Sequence, residues 1–449
     1  MTNQRPLAAI VLAAGKGTRM KSDLPKVMHA IGGRSMVRHV LEAAVSLGAE
    51  RTVVVVGPGM EMLTHHVAPV PTTIQTEQRG TADAVRAAMP ALAGFTGDVL
   101  VLYGDVPLVR AESLAKLRAA RTDGVGIVVF GMRAPTPNAY GRLVQAADGT
   151  LDRIVEFLDA NDEERALPLC NSGILLADGA RLGDWLARVK NDNAKSEFYL
   201  TDIVGLARQD GLKVAVVEGS NDEVAGVNSR AELAVAEETF QRFMRESAMA
   251  DGVTLTDPGS VWFSANTKLG RDVIVHPHVV FGPDVTVGDK VEIKSFSHLE
   301  GCTVERGAII GPFARLRPGA QVGEDAHVGN FVELKNTVLG KGAKANHLTY
   351  LGDATVGAGS NIGAGTITCN YDGFGKYKTE IGAGAFIGSN SSLVAPVKIG
   401  NGAYVGSSSV ITRDVPDDAL AIGRGRQSNK EGWAASFRER MAHLVKKKG

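Results

Sequence analysis

Three groups of residues in this chain have the types and spacing to do chemistry. The first is the run Leu12-Ala13-Ala14-Gly15-Lys16-Gly17-Thr18-Arg19-Met20, followed by Pro25-Lys26. Its small residues let backbone N–H groups approach a polyphosphate, and Lys16, Arg19 and Lys26 can offset the negative charge. The run fits neither G-x-x-x-x-G-K-[ST] nor G-x-G-x-x-G, so a glycine turn bearing solvated cations is the competing reading. The second is Tyr103-Gly104-Asp105, which closes the apolar stretch Val99–Leu102. A carboxylate delivered among phosphates suits magnesium, whereas alone it would serve as a turn or cap residue. The third is His347, in Asn346-His347-Leu348-Thr349-Tyr350-Leu351-Gly352-Asp353. An imidazole is poised for proton transfer near neutral pH, although a histidine in a loop is commonly structural or solvated.

These groups need elements to hold them. Up to Asn228, short β-rich runs alternate with helical patterns, as in a parallel sheet covered by helices. Strands are predicted at Ala8–Leu12, Arg51–Val56, Val99–Tyr103 and Gly126–Phe130, with helices over 36–45 and 82–89. The glycine loop then lies at a strand's carboxyl end, where open α/β sheets bind ligands. From Ser229 the pattern is one connecting helix: Ser229-x-x-Glu232 spells a capping box, and Leu233, Ala236, Phe240, Phe243 and Met244 share a face.

Beyond Asp251 aliphatic residues recur every six positions. Val275, Phe281, Val287, Ile293 and Leu299 form one series. After a one-residue slip come Val304, Ile310, Leu316, Val322, Val328 and Leu334, and later Ile381, Ile387, Leu393, Ile399, Val405 and Ile411. Such hexads predict a parallel β-helix, three hexads to a coil, each aliphatic side chain pointing into the column. The period breaks at Lys335–Thr355 and at Cys369–Glu380, which reads as two irregular segments leaving a rigid scaffold. The expected organisation is a nucleotide domain over 1–228, a helical linker over 229–250 and a repeat domain over 251–449.

Composition narrows the classes. At 449 residues more than one core is required. Lys+Arg and Asp+Glu balance at 49 each, so no global field recruits nucleic acid or a membrane surface. Cys170, Cys302 and Cys369 have neither disulfide-framework nor zinc spacing, which points to a reducing cytoplasm. The apolar run Leu7–Ala14 is broken too soon for a signal segment, and no stretch approaches a membrane span, so a soluble cytoplasmic protein is expected.

Taken in order, Leu12 to Met20 with Pro25-Lys26, Gln75, Gln78-Arg79-Gly80-Thr81, Tyr103-Gly104-Asp105 and Gly226-Val227-Asn228 resemble the bifunctional GlmU family. Similarity extends to Arg315-Leu316-Arg317, Lys335, Lys376 and the run Asn361 to Gly373, and so spans nearly the whole chain. The resemblance implies a Rossmann-like α/β nucleotidyltransferase domain, a connecting helix and a left-handed parallel β-helix of hexapeptide repeats. It implies two activities: acetylation of glucosamine-1-phosphate by acetyl-CoA, then uridylyl transfer from UTP to N-acetylglucosamine-1-phosphate. In the first domain it places the phosphates on Leu12, Ala13, Ala14, Gly15 and Lys26, with Arg19 beside them, and the uridine on Gln75, Gly80 and Thr81. Tyr103 and Gly104 accompany Asp105, which with Asn228 would ligate Mg²⁺. Gly141 in Tyr140-Gly141-Arg142, Glu156 in Ile154-Val155-Glu156 and Asn171 in Asn171-Ser172-Gly173 would contact the sugar. In the second domain His347 would be the base, and Arg317, Lys335, Tyr350, Asn361 and Lys376 would hold glucosamine-1-phosphate. Ala364, Asn370, Tyr371, Ser389, Ser407 and Arg424 would contact acetyl-CoA. The resemblance further implies a homotrimer with shared acetyltransferase sites. One departure is Asp83, where the family pattern leads us to expect histidine.

A different enzyme class keeps only the nucleotidyltransferase, as in hexose-1-phosphate nucleotidylyltransferases whose β-helix regulates or oligomerises. A non-enzymatic scaffold is the remaining reading, against which Lys26, Asp105 and Asn228 stand intact. The terminal stretch Arg438 to Gly449 reads as a solvated tail.

Overall fold

The computed structural model describes residues 5–445. The chain forms two compact units, Met1–Glu246 and Ser247–Gly449, and the division falls inside the helix Arg230–Ala250. That helix starts as its capping sequence requires, with the Glu232 amide donating to Ser229 Oγ at 3.2 Å. The Glu232 carboxylate reaches one residue farther back than in the usual box and accepts from the Asn228 amide at 2.5 Å. Ala236 and Phe240 are buried on one face.

The first unit is built on a sheet of nine strands: β1 (Leu7–Leu12), β2 (Arg51–Val56), β3 (Thr72–Ile74), β4 (Asp98–Tyr103), β5 (Val125–Met132), β6 (Arg142–Gln145), β7 (Leu151–Val155), β8 (Cys170–Asp178) and β9 (Lys213–Gly219). Their main order is β9-β5-β8-β4-β1-β2-β3, with β6 attached to β8 and β7 to β6. Apolar side chains on both faces of the central strands are buried by helices, including Met36–Ser46 and Thr81–Ala88.

The sheet is mixed where a parallel one was expected: β8 runs antiparallel to both β4 and β5. The reason lies in the connection. From the carboxyl end of β5 the chain makes the β6–β7 hairpin and a four-residue helix, Asp162–Arg165, with no long crossover helix, and re-enters at the edge it left. Cys170 accordingly pairs with Met132.

The second unit is a parallel β-helix of short strands joined in one sheet. Val275 lies in register with Ile293, and Val304 with Val322, so a coil is 18 residues, or three hexads. Across the slip the step is 17, as in Val287 with Val304. Every aliphatic residue of the three series is buried. Corners turn through left-handed backbone: Asp272, His278, Asp284, Lys290 and Phe296 all have φ near +60°.

Only one of the two breaks leaves the scaffold. Residues 335–355 stay on it, because His327–Leu339 and Lys344–Val356 are long strands paired in parallel, with Leu334 on Leu351 and Leu339 on Val356. The loss of period there is a coil of 17 residues, shortened at a corner. The true excursion lies between the strands Ile367–Cys369 and Thr379–Ile381. Its tip is held by Asp372, which accepts from the amides of Phe374 at 2.8 Å and Gly375 at 2.7 Å.

The cysteines are unpaired. Among the described residues no helix is long and apolar enough to cross a membrane. The terminal stretch read as a tail belongs to a helix, Trp433–Val445, exposed from Trp433 to Ala442; residues 446–449 lie outside the described residues.

Candidate active sites

Register along β1 assembles the first site. Leu12 sits opposite Tyr103 on one side and Val55 on the other. The glycine loop, Gly104-Asp105 and Gln75 therefore leave the sheet at one edge, tied by Gly104 N–H to Leu12 O at 2.9 Å, Ala13 N–H to Val55 O at 2.8 Å and Gln75 N–H to Val56 O at 2.9 Å. This edge holds a cavity of about 330 Å³, with Leu12, Ala13, Ala14, Gly15, Lys26, Gln75, Gly80, Thr81, Tyr103 and Asp105 in its wall. Gln78, which had no assigned role, also lines it, and donates to Ala14 O at 2.7 Å. Arg19 is exposed and takes no part in the wall.

Lys26 Nζ is the hub of this edge. It contacts the Asp105 carboxylate and donates to Asn228 Oδ1 at 3.0 Å. The Val227 amide donates to Asp105 O at 2.9 Å, which brings the chain entering the long helix onto the end of β4. Two hard oxygens thus converge on one positive charge beside the glycine loop, a donor pair that suits Mg²⁺ completed by phosphate oxygens. No group of three or more His, Cys, Asp or Glu that could hold a metal occurs among the described residues, so a cation here needs those extra oxygens.

Gly80 must be glycine: its φ is +119°, and a Cβ would stand 2.6 Å from Phe198 O and 2.8 Å from Phe198 N. The loop is fixed there by Ala82 N–H to Phe198 O at 2.9 Å and Phe198 N–H to Arg79 O at 2.8 Å.

Toward β6–β8 the site becomes acidic. A Cβ on Gly141 would lie 3.4 Å from Glu156 Oε2, Asn171 N–H donates to Gly141 O at 2.8 Å, and Thr201 Oγ1 donates to Glu156 Oε1 at 3.2 Å. Gly141, Glu156 and Asn171 are therefore neighbours, and Tyr103 joins them to the cavity, with its ring against Gly173. Burial, then the negative charges of Glu156 and Asp105, push the Tyr103 phenol far above its usual value. Burial likewise raises the Glu156 carboxyl, against the opposing Thr201 hydrogen bond.

In the second unit most of the candidate residues gather at two corners of the column. At one, His347 Nδ1 lies 2.7 Å from Asn330 Oδ1, the residue in register one coil below. Up the same corner the Gly365 amide donates to His347 O, Asn390 to Ala364 O and Ser408 to Ser389 O, so Ala364, Ser389 and Ser407 follow coil by coil. At the other corner Arg317 Nη1 donates to Glu333 Oε1 at 2.8 Å. Lys335 and Lys376 are close enough that the neighbouring ammonium pulls the Lys335 amine below its usual value. Asp353 accepts from Asn336 at 2.7 Å and Asn370 at 2.5 Å. Burial pushes its carboxyl up, but those bonds and the two lysines outweigh it and hold it low.

Tyr350 lies on the strand between the corners, in register with Glu333. Asn361 is on a different side, beside Lys344 and Phe386, and Tyr371 is exposed on the excursion with its hydroxyl on Gly373 O at 2.6 Å. Arg424 is exposed beyond the last strand, Leu420–Ala421. Gly352, the position in register with Lys335, follows His347 by five residues that first turn the corner at Leu348 (φ 50°), so the chain between them reaches less than the roughly 16 Å of a fully extended strand at about 3.3 Å per residue. The sequence carried a signal for Asn330 that was missed: it precedes His347 by 17 residues, one short coil.

Comparison with known proteins assigns the pieces. Residues 9–168 match the MobA-like NTP transferase domain, and residues 301–336 and 378–413 match the bacterial transferase hexapeptide family. Proteins named bifunctional protein GlmU align over almost the full length. That of Paramagnetospirillum magneticum is 58% identical over 98% of this chain and 99% of its own. That of Rhodospirillum rubrum is 58% identical over 98% and 99%, and that of Azorhizobium caulinodans 56% over 97% and 98%. The chain belongs to the GlmU family. It is a bifunctional transferase of UDP-N-acetylglucosamine synthesis, a uridylyltransferase and a glucosamine-1-phosphate acetyltransferase. Because family similarity runs through the β-helix as well as the sheet, the reading with a merely regulatory repeat unit is not favoured.

Proposed function

We propose that uridylyl transfer takes place in the cavity at the carboxyl edge of the sheet and acetyl transfer beside His347. The observation that carries the first half is the convergence of Lys26, Asp105 and Asn228, from three distant parts of the chain, next to the Leu12–Gly15 loop. The loop amides and Lys26 hold the UTP phosphates, Gln75, Gly80 and Thr81 take the uridine, and Gly141, Glu156 and Asn171 take the N-acetylglucosamine. Asp105 and Asn228 would hold Mg²⁺, which when bound would neutralise phosphate charge. An oxygen of the sugar 1-phosphate forms a bond to the α-phosphorus of UTP as the bond to pyrophosphate breaks. That oxygen is already anionic, so the chain supplies position and charge and need not move a proton.

In the second unit, the glucosamine nitrogen attacks the thioester carbon, the C–S bond breaks, and His347 takes the amine's proton. Arg317, Lys335 and Lys376 make a cationic corner suited to the sugar phosphate, with Tyr350 and Asn361 completing that site. Ala364, Asn370, Tyr371, Ser389, Ser407 and Arg424 serve acetyl-CoA. The hexapeptide repeats and the family likeness favour a homotrimer with acetyltransferase sites completed between chains. Balanced charge and free cysteines favour a cytoplasmic location. Acetylation comes first, because it makes the N-acetylated substrate of uridylyl transfer.

Two assays test the division: pyrophosphate release from UTP with N-acetylglucosamine-1-phosphate, and CoA release from acetyl-CoA with glucosamine-1-phosphate. Asp105→Ala is expected to abolish the first and spare the second. His347→Ala is expected to slow the second by roughly 10²–10⁴-fold and spare the first. Equal loss of both activities in either variant would sink the two-site assignment.

A further inference from the structure

Gln75 is 5% exposed and lines the nucleotide cavity. Its Nε2 donates to the Gly80 carbonyl at 2.9 Å and to Asp83 Oδ2 at 3.0 Å. A carbonyl and a carboxylate only accept, so the amide cannot be reversed without turning its oxygen onto two acceptors. Asp83 is itself fixed from behind. Its Oδ2 also accepts from the Arg79 amide at 3.3 Å, and its Oδ1 from Arg79 Nη2 at 3.2 Å. These contacts outweigh the effect of burial and keep the carboxyl below its usual range, hence ionised and unable to donate.

With both amide hydrogens used, Gln75 has only Oε1 left to offer an occupant of the cavity. The charged end of the cavity is marked by Lys26 and Asp105, so the uncharged base of the nucleotide belongs with the uncharged Gln75 and the Gly80 backbone. Uracil carries an N–H at N3 between two carbonyls. Cytosine carries a bare ring nitrogen there, beside an amino group. An oxygen that can only accept pairs with the first, and meets the second lone pair to lone pair.

We infer that Asp83 is a specificity-determining positioning residue, which locks Gln75 as an acceptor and thereby selects UTP over CTP. The inference rests on the placement of the nucleotide proposed above.

The test measures kcat and KM for pyrophosphate release by the full-length protein with UTP and with CTP. Asp83→Ala removes one of the two acceptors that hold the amide and leaves it on the Gly80 carbonyl alone, and the UTP/CTP ratio of kcat/KM should fall about tenfold, mainly through KM. Asp83→Asn still offers Gln75 one carbonyl oxygen, and should keep the ratio within about threefold of the unaltered protein. N3-methyl-UTP, which lacks the N3 hydrogen, should be used at least about tenfold less well than UTP by the unaltered protein. The inference is overturned if both variants change UTP and CTP turnover by one common factor, as a purely structural role for Asp83 would. It is also overturned if N3-methyl-UTP performs as well as UTP, a result that needs no variant to fold. Failure of the underlying placement looks different: Lys26→Ala would then leave UTP turnover unchanged, and the inference would fall with it.

Discussion

Replacing Asn330 by aspartate puts a carboxylate where an amide oxygen now lies 2.7 Å from His347 Nδ1. In the present arrangement Nδ1 holds the ring hydrogen toward Asn330, which leaves Nε2 bare to receive a proton from the substrate amine. A unit charge at this distance interacts with an imidazolium by on the order of 1 kcal/mol at the dielectric of water, and several times more in a protein interior. His347 is exposed, so solvent screening keeps the gain near the lower figure. Asn330→Asp should therefore move the acid limb of the kcat/KM profile for CoA release to higher pH, and the tautomer that leaves Nε2 free should persist. Asn330→Ala should lower kcat by roughly tenfold, the cost of one lost orienting hydrogen bond, without that upward shift. Both are read by following free thiol from pH 5.5 to 9 with saturating acetyl-CoA. Superimposable profiles for Asn330→Asp and the unaltered protein would refute the assignment of Nε2 as the base.

Other expectations concern both units. Gly80→Ala places a methyl against Phe198 backbone atoms in a conformation that favours glycine. Its melting temperature should fall by about 5–10 °C, as expected for a loss of a few kcal/mol, and an unchanged melt would show the loop is free to adjust. Burial, then the charges of Glu156 and Asp159, raise the Asp202 carboxyl to about 6. The folded state thus holds this proton more tightly than the unfolded state, and the stabilisation it gives is lost as pH rises from about 4 through 6. Asp202→Asn should stabilise the first unit above pH 6, with its advantage disappearing near pH 4 in melts across that range. Lys335→Ala should raise KM for glucosamine-1-phosphate with a smaller change in kcat, since in the proposed site the lysine would meet a phosphate remote from the reacting amine; a pure kcat loss would argue against that role.

Much of the fold was written in one-dimensional periods. A hexad is read from Val275 to Leu299 without coordinates because each coil meets only its neighbours, so local spacing fixes stacking. The strand before the glycine loop was equally plain, since Leu7–Leu12 is apolar throughout and buried on both faces. The direction of β8 was not legible, because strand propensity carries no sign and only the path from Met132 back to Cys170 sets it. Nor could the sequence say that residues 335–355 stay on the column, where one dropped residue destroys the period but a shortened corner restores the pairing.

The sequence by itself determined which chemical groups exist and on what repeat they ride: the glycine loop, Lys26, Asp105, Asn228 and His347. Tertiary structure alone decided who stands beside whom. It put Asn228 on Lys26 across 202 residues of chain, set Asn330 under His347, and turned Asp83 toward Gln75. The physical reason is that hydrogen bonds and charges act over a few ångströms through space, and sheet register and coil length, which fix those distances, emerge only when the chain is folded.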